Sequence, residues 1–273
     1  MIPPNIKSLI LDMDGVLWRG DAPIGDLPRI FARIASRGLA VAFATNNGTR
    51  TPEQYAARLA SFGVQVEPWQ VVTSALAVAE LLDRAIPPFP VSEMGGPRGV
   101  ARPVFAIGEA GVMNALRDKG FEPLPVERAA EAQAVVMGID RQINFEKMAA
   151  AALLVRRGLP FFATNSDKTF PTPRGEIPGA GAWVAVIVTA TGVEPIYAGK
   201  PAPYLLELAR QRLGTPKEET LVVGDRLETD IAGGQAAGMP AALVLSGVST
   251  REQGEAWRPR IDVMAEDLGE LVE

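Results

Sequence analysis

The chain has 273 residues, 22% of them charged, with 32 acidic against 27 basic side chains and a net charge of −5. That length holds one large domain or two modest ones, and an acidic balance without a basic cluster argues against nucleic acid as a main partner, because phosphate-backbone binding takes clustered Lys and Arg. There is no histidine and no cysteine, which excludes Ser-His-Asp triads, Cys-His pairs, histidine metal sites and thiolate nucleophiles.

Met1-Ile2-Pro3-Pro4 leads straight into a strand. The expectation is therefore no secretory signal and, by default, a cytoplasmic location; no uninterrupted apolar run is long enough to cross a membrane. Lys7 to Leu11 reads as a buried strand that stops at Asp12-Met13-Asp14-Gly15-Val16. Leu27 to Arg37 has helical spacing and ends at Gly38. Leu39 to Ala44 is a second apolar strand, ending at Thr45-Asn46-Asn47-Gly48. Thr51 caps a helix with Pro52 in its first turn, running to about Phe62. Ser74 to Arg84 is a further helix. Ile86 to Pro103, rich in Pro and Gly, reads as a loop or domain junction.

A second series follows: strand Val104 to Ile107, helix Gly111 to Lys119, strand Ala134 to Met137, amphipathic helix Phe145 to Arg157, strand Pro160 to Ala163. Thr164 to Pro178 reads as a polar, Pro-rich loop. The last third gives helix Ala182 to Ala190, strand Pro195 to Ala198, helix Tyr204 to Leu213, strand Thr220 to Val223, helix Ile231 to Ala237 and strand Ala241 to Leu245. Alternating strands and helices imply an α/β fold: a Rossmann-like core with a mainly parallel sheet and right-handed crossovers. The Pro/Gly-rich break predicts an inserted α/β cap domain over 82–178, splitting a core of 1–81 and 179–273.

Four predicted strand ends carry polar residues: Asp12 and Asp14, Thr45 and Asn46, Lys200, and Asp225 with Asp230. If they belong to neighbouring strands of one parallel sheet, they converge on one crevice. With no soft ligand available, such a set suits a hard cation such as magnesium. Carboxylates, an ammonium and a hydroxyl also fit phosphoryl transfer, where catalysis is mostly positioning and charge neutralisation.

The order and spacing of these residues resemble the haloacid dehalogenase (HAD) superfamily over nearly the whole chain. Its four motifs occur in the family's order as Asp12-x-Asp14-Gly15-Val16, Thr45, Lys200, and Gly224-Asp225 with Asp230. A narrower resemblance is to the NagD-like (4-nitrophenylphosphatase) branch, which carries a large C2-type cap between the second and third motifs. Asp12 to Trp18, Thr45-Asn46-Asn47, Ala163 to Asp167, Pro178 to Gly181 and Tyr197 to Tyr204 carry it.

The resemblance implies a magnesium-dependent phosphatase of small phosphorylated metabolites, acting through an aspartyl-phosphate. In that reading Asp12 is the nucleophile and Asp14 the general acid, then base; Asp14 separates phosphatases from the dehalogenase branch. Thr45 donates to the phosphoryl oxygens and Lys200 neutralises charge. Asp225 holds magnesium with Asp12 and the main-chain carbonyl of Asp14, and Asp230 orients Lys200 or the outer shell of the metal, or else sits as an ordinary helix-start carboxylate. Asn46 and Asn47 orient the loop and the substrate phosphate, or simply cap the turn. Asn165, Asp167 and Lys168 are the cap's candidates for substrate contact, or else a solvated loop. Trp18 either walls the site or packs. The resemblance leaves room for a homodimer through the cap, while the acidic balance and the short apolar runs lead to the expectation of no nucleic-acid and no membrane partner. The competing readings are a phosphomutase and a catalytically silent phosphometabolite-binding protein.

Overall fold

The computed structural model describes residues 2–87, 102–172 and 174–273. All but the ends of the Ile86 to Pro103 junction, and Pro173 within the polar loop, lie outside the described residues. The chain resolves into two compact units, one of residues 1–45, 52–73 and 199–273, the other of residues 46–51 and 74–198.

The first unit contains β1 (Ser8–Leu11), a short hairpin of β2 (Trp18–Arg19) and β3 (Ala22–Pro23), α1 (Leu27–Ser36), β4 (Ala40–Thr45), α2 (Pro52–Ser61) and β5 (Val71–Thr73). The chain then enters the second unit with α3 (Ser74–Ala85), β6 (Arg102–Ile107), α4 (Ala110–Asp118), β7 (Phe121–Leu124), β8 (Val135–Met137), α5 (Phe145–Arg156) and β9 (Phe161–Ala163). A hairpin of β10 (Thr169–Thr172) and β11 (Gly175–Pro178), helix α6 (Ala180–Thr191) and β12 (Ile196–Tyr197) complete it. The chain returns to the first unit as α7 (Tyr204–Leu213), β13 (Thr220–Gly224), α8 (Ala232–Ala236), β14 (Ala241–Val244), α9 (Arg251–Ala256), β15 (Val263–Ala265) and α10 (Leu268–Leu271).

The first sheet runs β15-β14-β13-β1-β4-β5, with every neighbour parallel. Its central strand explains the sequence pattern. Leu9, Ile10 and Leu11 are all fully buried, because a parallel strand covered on both faces wants apolar side chains at consecutive positions. Each such side chain contributes about 1.5–3 kcal/mol of transfer free energy. Helix α1 starts where Asp26 accepts from Arg29 N at 3.1 Å, and buries Leu27, Ile30 and Ile34 at helical spacing. From β1 the strand order runs outward through β4 and β5, then restarts at β13 on the other side. Ligands in doubly wound sheets gather at the carboxyl ends of the strands flanking that reversal.

The second sheet, β12-β9-β8-β6-β7, is also all parallel. Several details differ from the sequence expectation. The loop 164–178 contains the β10–β11 hairpin. Helix α6 and strand β12, expected in the core, pack with the second unit: β12 pairs with β9, and Val184 and Ile187 of α6 join that unit's apolar core. Helix α5 forms as expected but is not amphipathic. Ala151, Leu154 and Val155 face inward, whereas Phe145 is 86% and Leu153 63% exposed. Its run from Met148 to Val155 is apolar throughout, so no polar side exists to orient it. No helix among the described residues is long and apolar enough to cross a membrane.

Candidate active site

Asp12 follows β1 directly, held by its own N–H, which donates to Val223 O at 2.8 Å. Thr45 is the last residue of β4 and is buried. Asp225 follows β13. Three neighbouring strands therefore deliver one polar residue each to the same edge of the sheet. Lys200 arrives differently from the expectation. The strand before it, β12, belongs to the second sheet; Lys200 enters the first unit in the turn ahead of α7, a helix that packs on β4.

Lys200 is only 3% exposed. Its Nζ donates to Asp12 Oδ1 at 2.6 Å, Asp230 Oδ1 at 2.6 Å and Ala44 O at 2.9 Å. Burial works against its charge, but Asp12 and Asp230 outweigh burial and hold the ammonium above its usual range. Asp230 is fixed at its other oxygen, where Oδ2 accepts from Arg226 N at 3.0 Å. It sits in a wide turn, Leu227–Ile231, in which Ile231 N reaches back to Arg226 O at 3.2 Å. Such wide turns recur at functional sites. A Cβ on Gly224 would collide with the Asp230 carboxylate, so the glycine before Asp225 makes room for this anchor.

Asp225 is 1% exposed. Its Oδ2 accepts from Val248 N at 2.8 Å, and its main-chain carbonyl accepts from Ser249 N at 3.0 Å. Ser249 Oγ in turn accepts from Leu227 N at 3.1 Å. Asp225 Oδ1 is buried with no hydrogen-bond partner. A Cβ on Gly15 or on Gly247 would overlap the Asp225 carboxylate. The loop 246–249 after β14 thus cradles the aspartate, and sequence reasoning missed it. The available signal was a glycine and two serines just past a predicted strand end.

Asp12, Asp225 and Asp230 each bring a carboxylate oxygen within 4.8 Å of the others. Burial, then the charges of Asp230 and Asp225, hold the Asp12 carboxyl well above the usual range in spite of Lys200. Burial and the Asp230 charge push Asp225 up to about 6. Three carboxylates share one ammonium, and one buried oxygen has no donor. That combination fits a divalent cation with oxygen ligands. Asp230 is already engaged by Lys200 and Arg226, so Asp12 and Asp225 are the residues that would hold the ion. Asp14, two residues on, is exposed, and its Oδ1 accepts from Trp18 Nε1 at 2.8 Å.

The other predicted residues lie in the second unit, where hydrogen bonds join Asn46, Asn165 and Asp167. Asn46 Nδ2 reaches both Asp167 oxygens at 3.2 Å, and its carbonyl accepts from Asn165 Nδ2 at 2.7 Å and Ser74 Oγ at 2.5 Å. Asn47 Oδ1 accepts from Thr49 N at 3.1 Å and Thr49 Oγ1 at 2.7 Å, a local turn. Lys168 is exposed.

Comparison with known proteins places this geometry in company. A family model described as haloacid dehalogenase-like hydrolase matches residues 9–122, and one described as HAD-hydrolase-like matches residues 197–271. The 5'-nucleotidase YutF of Bacillus subtilis is 36% identical over 246 residues, 90% of each chain. The glycerol phosphate phosphatase Rv1692 of Mycobacterium tuberculosis, solved in complex with calcium, is 34% identical with a TM-score of 0.87, covering 97% of this chain and 74% of that one. The same protein is also solved with magnesium. The p-nitrophenyl phosphatase of Archaeoglobus fulgidus is 32% identical with a TM-score of 0.86, covering 98% of this chain and 99% of that one.

Proposed function

Because the chain belongs to the haloacid dehalogenase-like hydrolases, we propose that it is a magnesium-dependent phosphatase of small organic phosphate monoesters that works through an aspartyl-phosphate on Asp12. The observation that carries the reading is the Asp12–Lys200–Asp225–Asp230 cluster, with its excess of negative charge and the partnerless Asp225 Oδ1. The names of the relatives, which include a 5'-nucleotidase and a p-nitrophenyl phosphatase, support the substrate class.

The mechanism assigns each residue a task. Asp12 Oδ attacks phosphorus as the bond to the leaving oxygen breaks. A carboxylate is a weak nucleophile, so alignment at the end of a rigid central strand matters. Lys200, anchored by Asp230, offsets negative charge on Asp12 and the phosphoryl group. Thr45 Oγ1 donates to a phosphoryl oxygen. Asp14 gives a proton to the departing alkoxide and later takes one from water, whose oxygen displaces the Asp12 carboxylate from phosphorus. Asp12, Asp225 and the main-chain carbonyl of Asp14 would hold magnesium, which when bound supplies charge neutralisation at the phosphoryl oxygens. We assign substrate choice to Asn46, Asn47, Asn165, Asp167 and Lys168.

The test is hydrolysis of 4-nitrophenyl phosphate with magnesium and with a chelator, followed by a panel of nucleotides and sugar phosphates. Magnesium-dependent release of nitrophenol that disappears in Asp12→Asn supports the reading. Turnover that survives either the chelator or that substitution refutes it.

A further inference from the structure

The indole of Trp18 is fully buried, yet its single polar atom is committed to the site, donating to Asp14 Oδ1 at 2.8 Å. The backbone brings the two together. Leu17 N and Trp18 N both reach Met13 O, at 2.8 and 3.3 Å, and Gly15 N donates to Trp18 O at 2.8 Å. Gly15 supplies the left-handed conformation this turn needs, with φ of 87°.

The ring itself is gripped. The Arg58 guanidinium lies 4.4 Å above its centroid and the Phe62 ring stands 5.9 Å away. Arg58 is tied in turn to Gly20 O and, at 3.6 Å, to Asp21. The donor is therefore fixed by backbone and packing, whereas the acceptor carboxyl is exposed to solvent. An exposed aspartate otherwise samples several rotamers, and a fixed donor at hydrogen-bond distance from Oδ1, which accepts in either protonation state, selects among them.

Resting on the phosphatase reading above, we infer that Trp18 is a positioning residue for acid–base catalysis. Its N–H occupies Asp14 Oδ1 and fixes the plane of the carboxyl. Oδ2 is then the oxygen that passes its proton to the leaving oxygen as the phosphorus–oxygen bond breaks. In the second half-reaction the same Oδ2 takes a proton from the attacking water. A buried indole seeks an acceptor in any case, so the rival account is packing alone, and the two differ in how the damage depends on the leaving group.

Trp18→Phe keeps a ring beneath Arg58 and deletes the N–H. In the full-length protein with magnesium, kcat/KM is measured for phosphate monoesters whose alcohols range from 4-nitrophenol to a simple alkanol. A poor leaving group needs its proton, whereas a good one departs with little help. The expected result is a loss of roughly tenfold or more on the alkyl ester and a clearly smaller loss on the nitrophenyl ester, so the dependence on leaving-group pKa steepens. A uniform loss across the series, or no loss, overturns the inference. If Trp18→Phe melts far below the wild type, benzothienylalanine at position 18 keeps the ring shape with sulfur in place of N–H and is read the same way. Absence of wild-type turnover on every ester would sink the phosphatase reading and this inference together; wild-type turnover with parallel losses would sink this inference alone.

Discussion

Both sheets of this protein reverse their strand order, at β1 between β4 and β13 in the first, and at β6 between β7 and β8 in the second. The two reversals are filled in opposite ways. After β6 and β8 come Gly108 and Gly138, and a Cβ on Gly108 would run into Val112 at 2.8 Å, so packing closes that end. The charges nearby cancel in pairs. Arg141 Nε and Nη2 donate to Glu109 at 2.6 Å each, and Lys147 Nζ donates to Asp140 at 2.7 Å. After β1 and β13, three carboxylates stand against one ammonium, with one oxygen left without a donor. Topology supplies a reversal twice; among the described residues it is the first that leaves charge and hydrogen bonding incomplete.

The sharpest way to break this contrast is Asp12→Asn. It removes the proposed nucleophile and one of the crowded charges. Turnover of 4-nitrophenyl phosphate should fall by at least roughly a thousandfold, with the thermal midpoint unchanged or raised. A collapsed fold would mean that the cluster is structural.

Lys200→Met comes next, because it leaves Asp12 and Asp230 buried together without their cation. Denaturant titration should show a loss of about 3 kcal/mol, alongside a large loss of kcat. An equally stable variant would show that the carboxylates do not need the ammonium. Gly247→Ala forces the Asp225 carboxylate aside and, if Asp225 holds magnesium as proposed, should weaken magnesium activation roughly tenfold, the cost of disturbing a ligand's support. Gly108→Ala, in the second sheet, should lower stability through overpacking by about 1–3 kcal/mol while kcat stays within twofold of wild type, so the pair of glycines separates site from scaffold.

Proton linkage gives a smaller effect with a definite sign. Asp225 and Asp12 bind protons more tightly folded than unfolded. Between the ordinary aspartate range and about 6, the folded chain keeps protons that the unfolded chain has lost. Stability in a chelator should therefore fall as pH rises through that window. At the proposed magnesium site the ion would have to displace the same protons, so its affinity, read by calorimetry, should rise from pH 5 to 7. A pH-independent affinity would show that neither carboxyl titrates on binding. The smallest effect belongs to Glu109→Gln, which breaks a solvent-screened pair and should cost under about 1 kcal/mol with kinetics intact.

The chemistry was more legible in the sequence than the packing. Asp12 and Asp225 announce themselves because a buried strand that stops at a carboxylate is costly unless the carboxylate is used, and Asp14 by its place two residues after Asp12, just ahead of Gly15. Lys200 was legible as a residue but not by its route, since two residues of β12 carry no mark of which sheet they pair with. Helix α5 misled because a run of alanines and leucines reads as one face when it covers every face. The hairpin β10–β11 was hidden among prolines, which usually argue against a strand and are tolerated here in a two-stranded ribbon. The loop 246–249 was missed because it holds Asp225 mainly through the backbone N–H groups of Val248 and Ser249, and its glycine and two serines read equally well as an ordinary turn.

The division of the chain has a practical consequence for exchanging modules between relatives. The path leaves the first unit after Thr45, returns at Pro52, leaves again after Thr73 and returns at Gly199. The short strap of residues 46–51 is stitched to the larger segment by Asn46 with Asn165, Asp167 and Ser74, and by Gly111 N on Thr49 O at 3.3 Å. A chimera that transplants 74–198 by itself would pair a foreign module with a native strap and lose those stitches. Grafts designed with two donor pieces, strap and body together, keep the graft's own internal bonds and are the ones expected to transfer selectivity along with the fold.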